Sequence, residues 1–316
     1  MPEIRSSHDI TQLEAHMVLE KLIQINVITQ RFRAQLFLEL RVVRGANDSE
    51  LVDNASTWFV ERFDFLNKVH TYHEETFQRN DGADLLLTRR IDADFSAEFV
   101  LHEFPCDVQE CTMVFTINCS DSAKHPAEIV LSKSHRSHVT AKFEYGNQWR
   151  LSSQLLIEPG RSDPKDSVKG KTYPRLQITA VVQRRPWYYV YNVFLPMSAF
   201  VVMAFTSFML DRRESSSRMG ISLTLVLTTA SFKHFLTSIL PAISYLTLLD
   251  QYIHICQLFL FLIVLENGFV GPSDLAAGDA VDVICARALG ASFALLSTIY
   301  FARIVRLAAR PWARPL

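Results

Sequence analysis

The residues whose types and spacing suggest chemistry lie between 217 and 241, SRMGISLTLVLTTASFKHFLTSILP. About 23 helical residues rise ~35 Å, enough to cross a hydrocarbon core of ~30 Å. A span that met only lipid has no use for Ser222, Thr224, Thr228, Thr229, Ser231, Thr237 and Ser238. Steps of four and three place Gly220, Thr224, Leu227, Ser231, His234 and Ser238 on one face. That stripe is small and polar, with one large apolar residue near its middle. Several copies facing a common axis would enclose a wet tube with a leucine constriction, which is how a hydrophobic gate is built. Small and hydroxylic residues also serve ordinary helix packing in membranes, and spacing alone does not separate the two uses.

The elements that must position this stripe follow from composition. The chain has 316 residues, 49% of them hydrophobic, but the average hides two different halves. Charges are interleaved up to Gln183 and thin out from Trp187 onward, which puts the boundary near residues 184–186. The second half offers four apolar stretches: 190–210, 217–239, 246–265 and 281–302. Any one could be a buried soluble helix, but four in succession with short links predict a membrane bundle. Residues 1–18 are too polar for the apolar core of a secretory signal. The link 211–218 carries Arg212, Arg213 and Arg218, and the tail carries Arg303, Arg306, Arg310 and Arg314. With four spans these basic segments fall on opposite sides, so the charge rule for orientation gives conflicting signals.

The first half reads as β structure. Phe32, Ala34, Leu36, Leu38, Leu40 and Val42 alternate with mostly polar residues, the pattern of a half-buried strand. Strands are likewise expected over 95–104, 112–118, 129–132, 139–145 and 176–182, with turns at 45–49, 80–82, 120–126 and 158–170. Many short strands at this spacing predict an antiparallel, immunoglobulin-like sandwich. Residues 6–22 have a loosely helical pattern and are expected to form a leading helix. The N-glycosylation sequons at Asn47, Asn54 and Asn118 all fall in this half, which favours placing it outside the cell.

Residues 104–111, FPCDVQEC, resemble the FPxDxQxC signature of the pentameric ligand-gated ion channels, the Cys-loop receptor superfamily. The resemblance continues in order along most of the chain. Residues 25–40 are similar to the family's first two strands, and WFVERFDFLN at 58–67 resembles its W-x-P…N segment. YPR at 173–175 followed by QRRPWYY at 183–189 resembles the last strand entering the first membrane helix, whose proline matches Pro196. Arg218 to Pro241 lies on the second helix without a gap, which puts Leu227 at the gate leucine. LPAISY at 240–245 and Asp250 resemble the next loop and third helix, and residues 286–287 and 299–301 the fourth. The sequence departs from animal members at Ala97, where their partner of Cys111 would stand, so the name-giving disulfide cannot form. A local Cys106–Cys111 bridge stays open as the alternative, and unpaired thiols are the favoured expectation. The link 266–280 is too short for a large cytoplasmic domain.

The resemblance implies a fold and a set of roles. The fold is an all-β sandwich for ligand binding over 1–185, followed by an all-α four-helix transmembrane channel domain over 186–316. Five copies of the chain, a homopentamer, would surround a pore lined by Gly220, Thr224, Leu227, Ser231, His234 and Ser238 and passing inorganic ions across the cell membrane. Phe104, Pro105 and Asp107 would sit over the loop holding Pro241 and Tyr245, with Arg185 at the junction able to pair with Asp107. Phe63, Phe65, Ser120 and Tyr173 fall on segments that bind ligand in the family, although core packing explains Phe63 and Phe65 equally well. No aromatic cage for an amine is assembled, so a small molecule, a proton or an ion remains open as ligand.

Charge selectivity stays open as well: Ser216 and Ser217 replace the residues that mark cation- or anion-selective members, and Glu214 lies further back. Of the adjacent Lys233 and His234, the stripe geometry turns only His234 to the lumen, where an imidazole would make gating sensitive to protons. A neutral imidazole hydrogen-bonded between helices is the alternative. His70 with His73, and His135 with His138, would each hold half a metal site at most, and no metal or cofactor is expected. A net charge of −1 gives nucleic acid no electrostatic foothold. With no P-loop, GxSxG, HExxH or strand-borne GxGxxG, nothing gathers enzyme machinery. The remaining rival is a membrane receptor of the same fold that does not conduct.

Overall fold

The computed structural model describes residues 11–43, 63–118, 127–131, 138–139, 148–166, 170–237, 244–269 and 278–311. They fall into two compact units, one of Met1–Phe99 with Val108–Gln183, the other of Val100–Asp107 with Arg184–Leu316.

The first unit is a sandwich of two sheets. One holds β4 (Lys68–Asp81), β5 (Asp84–Ser96), β2 (Arg31–Val42), β1 (Thr11–Asn26) and β7 (Ala127–Leu131) in that order, with β8 (His138–Val139) also on β1. The other holds β3 (Phe63–Phe65), β6 (Val108–Ile117), β10 (Pro174–Arg184) and β9 (Trp149–Arg161). The pairs of β1 with β2, β2 with β5 and β4 with β5 are antiparallel, whereas β7 and β8 run parallel to β1. Strict alternation along β2 sends Phe32, Ala34, Leu36, Leu38, Leu40 and Val42 into the core. They meet Met113, Phe115, Leu176 and Ile178 from the facing sheet.

Two expectations fail here for physical reasons. The stretch expected to be a leading helix is β1, whose Leu13, Ala15, Met17 and Leu19 alternate inward. Register shifts after Leu19 and Leu22 insert extra residues, so the inward positions continue at Leu22 with a spacing of three that imitates a helix. The strand expected over 95–104 ends as β5 at Ser96, and the chain then leaves the sheet.

The second unit contains four helices long and apolar enough to span a membrane: α1 (Trp187–Met209), α2 (Ser215–Leu236, its helix running to Thr237), α3 (Leu248–Phe269) and α4 (Gly278–Ala308). Helix α1 passes through a π stretch at Val190–Phe194 before Pro196, which relieves the backbone around a residue lacking an N–H, and ends in a 3₁₀ turn at Phe205–Met209. Helix α3 starts with a capping box. Thr247 Oγ1 accepts from the Asp250 N–H at 3.1 Å, and Asp250 Oδ2 accepts from the Thr247 N–H at 3.2 Å.

Candidate functional site

Helix α2 has two contrasting faces. Arg218, Ser222, Thr229 and Leu236 are buried on one side, at steps of four and seven. Gly220, Thr224, Leu227, Ser231 and His234 lie on the exposed side, with Leu227 70% accessible in the single chain. Ser238 lies outside the described residues. On the exposed side each hydroxyl gives its proton to the carbonyl one turn back: Thr224 to Gly220 at 2.7 Å, Thr228 to Thr224 at 2.8 Å, Ser231 to Leu227 at 3.0 Å. The proton is thereby used and the oxygen lone pairs are left outward, a surface suited to water. Lys233 turns away from this face. His254 on α3 gives its Nδ1 proton to the Asp250 carbonyl at 2.6 Å, and its Nε2 accepts from the Lys233 ammonium at 2.9 Å.

The loop 100–107 is the second feature, and it packs within the helical unit. Its carbonyls at His102 and Phe104 accept from the N–H groups of Leu248 and Leu249 at 3.1 and 3.2 Å, which supplies partners to the open first turn of α3. The Leu101 N–H donates to the Tyr245 hydroxyl at 2.9 Å, and the His102 ring stacks on Tyr245 with centroids 3.9 Å apart. Phe104 meets Tyr189 of α1 edge-on at 4.6 Å, and a cis peptide joins it to the buried Pro105. Cys106 Sγ lies 3.7 Å from the Ile304 carbonyl of α4. Burial pushes the Cys106 thiol up to about 12, with Asp107 and Glu103 adding to the effect. Cys111, in the sheet, is also free, and its thiol is raised by burial.

Comparison with known proteins bears on these same segments. The family model described as the neurotransmitter-gated ion-channel transmembrane region matches residues 193–272. The chain is 25% identical over 187 residues to the human gamma-aminobutyric acid receptor subunit gamma-3, covering 59% of this chain and 38% of that one. It is 26% identical over 235 residues to human subunit rho-3, covering 71% and 49%. It is 26% identical over 219 residues to the beta-like subunit of Drosophila melanogaster, covering 67% and 42%. The family model and these relatives support the Cys-loop superfamily of pentameric ligand-gated ion channels as the family this chain resembles. It spans between about two fifths and one half of the length of these relatives. It is a multi-pass membrane protein whose N-terminal domain is extracellular.

Several expected positions stand differently in the structure. Asp107 pairs with Arg184, not Arg185: Arg184 Nε and Nη2 reach its two carboxylate oxygens at 2.8 and 3.3 Å, both residues being buried. The Arg184 guanidinium also sits 4.9 Å from the Phe104 ring centre, while Arg185 is exposed. The strand period could have found this, since Arg184 continues the inward set Leu176, Ile178, Ala180 and Val182. Phe63 and Phe65 are core residues. Both point inward from β3 against Phe115 at 5.7 and 5.3 Å, leaving Asp64 as the outward residue. Tyr173 is half-buried where β9 returns to β10, exchanging bonds of 2.8 Å with Ser162. Ser120, Pro241, His135 and the His138 side chain lie outside the described residues, and His73 bonds Glu75.

Sequence reasoning missed a polar cluster at the foot of α2. Arg218 is fully buried; its Nε donates to the Ser207 carbonyl at 2.9 Å and its Nη2 to Asp282 of α4 at 2.9 Å. Glu266 of α3 lies 4.0 Å away, and Asn267 Nδ2 donates to the hydroxyls of Ser207 and Ser222 at 3.1 and 2.8 Å. One turn earlier, Arg212 pairs with Asp279 at 2.9 Å. The signal available was a carboxylate or amide in each of two otherwise apolar spans, where such residues need partners.

Proposed function

We propose that the chain is one subunit of a homopentameric ligand-gated ion channel, with residues 1–185 binding ligand and 186–316 forming the channel. The lumen is lined by Gly220, Thr224, Leu227, Ser231, His234 and Ser238. The observation that carries this reading is the exposed face of α2, where outward hydroxyl oxygens flank one leucine and a buried face lies opposite. Five Leu227 side chains dry the closed tube, and the hydroxyl rings support hydrated ions in the open one. The loop of Phe104, Pro105 and Asp107, seated on Tyr245 and α3, carries the state of the ligand-binding part to the bundle. Ligand binds between neighbouring extracellular domains and favours the open state by preferring it. The relatives are gamma-aminobutyric acid receptor subunits, so that compound heads a screen of small molecules, protons and divalent ions.

The test is current through the reconstituted full chain. Leu227→Ala should raise the open fraction, and cysteines replacing Gly220, Thr224 and Ser231 should react with charged thiol reagents from the aqueous side. Silence in every condition, together with no reaction at those three positions, would leave a receptor that does not conduct.

A further inference from the structure

Two buried acids and one buried guanidinium meet at the foot of α2. Arg218 is fully buried, the Glu266 side chain is 5% exposed, and Asp282 is buried beside them. A single nitrogen of Arg218, Nη2, faces an oxygen of each acid: Asp282 Oδ1 at 2.9 Å and Glu266 Oε2 at 4.0 Å. The first contact is a charge-assisted hydrogen bond, and the second is beyond hydrogen-bonding distance. The two acids also touch each other, with Glu266 set against Asp282. An ionised carboxylate carries acceptors only, so two of them cannot bond. Among the described residues neither Glu266 oxygen has a donor.

The count of charges leads to the same place. Ionised throughout, the cluster would hold two negative charges against one positive, with the Phe208 ring 5.0 Å from the guanidinium carbon. The charges nearby do not cancel the excess. Arg212 pairs with Asp279 at 2.9 Å, and Asp211, Arg213, Glu214 and Arg287 are exposed. The groups that α1 and α2 add beside Arg218 are neutral: Ser207, whose carbonyl takes Arg218 Nε, and Ser222, whose hydroxyl donates to the Arg218 carbonyl at 3.0 Å. An isolated buried carboxylate is costly enough that such a group is neutralised instead, and two carboxyls in contact do not both ionise.

We propose that Glu266 holds a proton in the folded assembly at neutral pH and donates its O–H to the Asp282 carboxylate. Asp282 keeps the negative charge because it makes the short bond to Arg218, so one anion faces one cation. The proton supplies the donor that the contact between α3 and α4 otherwise lacks. Asn267, next in sequence, ties the same turn of α3 to α1 and α2 through Ser207 and Ser222. Alkali that removes the proton restores the excess charge, drives the two carboxylates apart and loosens α3 from α4 at this end.

Infrared spectroscopy separates the C=O stretch of a carboxylic acid from the bands of a carboxylate. The purified full chain is examined in an ester-free detergent at neutral pH. The spectrum of the parent minus that of E266Q should contain one acid band, displaced in heavy water as an exchangeable proton requires. The parent minus D282N should contain the same band, because Glu266 ionises once Arg218 is left to it alone. The parent minus D279N, which alters an exposed acid, should contain none. Raising the pH of the parent should convert the band to carboxylate absorption. A difference between the parent and E266Q that holds only carboxylate bands overturns the proposal, since both acids are then ionised. A band that survives in D282N overturns the donation to Asp282. Should a variant fail to assemble, the parent decides alone: no acid band lost on alkalinisation overturns the proposal equally. None of these readings depends on conduction, so failure here is separable from failure of the channel reading.

Discussion

Arg184 and Arg218 are both buried in the helical unit, one beside the loop 100–107 and one at the foot of α2, and they are satisfied differently. Arg184 takes both oxygens of the Asp107 carboxylate and lies against the Phe104 ring. Arg218 faces two carboxylates and bonds one of them, and its Nη1 has no hydrogen-bond partner among the described residues. The same holds for both Glu266 carboxylate oxygens and Asn267 Oδ1. The first arrangement is a closed fastening within the helical unit, between the loop and Arg184. The second has acceptors to spare. A matched buried pair is costly to break, whereas an over-supplied one tolerates the loss of a member.

The largest expected effect tests the matched pair. D107N or R184Q leaves a buried group uncompensated and should cost about 3–5 kcal/mol. The readout is the melting temperature and yield of the assembled protein. R185Q, one residue along and exposed, should stay within about 0.5 kcal/mol of the parent. Equal damage from R184Q and R185Q would erase the distinction between them. At the foot of α2, D282N should cost less, about 1–3 kcal/mol, because Glu266 remains to face Arg218. D282N and E266Q combined should cost more than the sum of the two, since only the double variant strips Arg218 of both carboxylates.

The same comparison shows what could be read from the sequence. The sandwich and the four spans were legible because period-two and long apolar patterns are local. Phase was legible where it ran unbroken, as in β2, and misleading where β1 inserts extra residues after Leu19 and Leu22. The loop 100–107 was legible as a signature, but its last neighbour was misplaced by one residue, because β10 ends at the buried Arg184 and Arg185 just beyond it is exposed. Phe63 and Phe65 could not be assigned without knowing which face of β3 is inward. The Arg218 cluster joins α1, α2, α3 and α4, and no single stretch of sequence contains it.

A smaller effect concerns Cys106, buried under the closed fastening next to Asp107. With the thiol raised from 9.0 to about 12, an unfolded chain loses this proton first as the pH rises. The contribution to stability is therefore fully present below pH 9.0 and is lost as pH climbs toward about 12. At pH 8 the thiolate is about a thousandfold scarcer than at an ordinary cysteine, so alkylation should be slow until the fold opens. Rapid labelling of Cys106 in the folded assembly would show that the loop lifts from Ile304.

The smallest expected change is the most discriminating for the contrast between the two arginines. Glu266 faces the Asp282 carboxylate as well as Arg218, and neither of its oxygens has a hydrogen-bond donor among the described residues. E266Q keeps the shape and supplies an amide donor that can reach Asp282. Its stability should therefore lie within about 1 kcal/mol of the parent, on either side. The corresponding change at the loop end, D107N, removes the carboxylate that Arg184 grips through two nitrogens and should be the most damaging of all. If E266Q and D107N lowered the melting temperature equally, Glu266 would be a matched partner of Arg218, and the foot of α2 would be fastened as tightly as the loop.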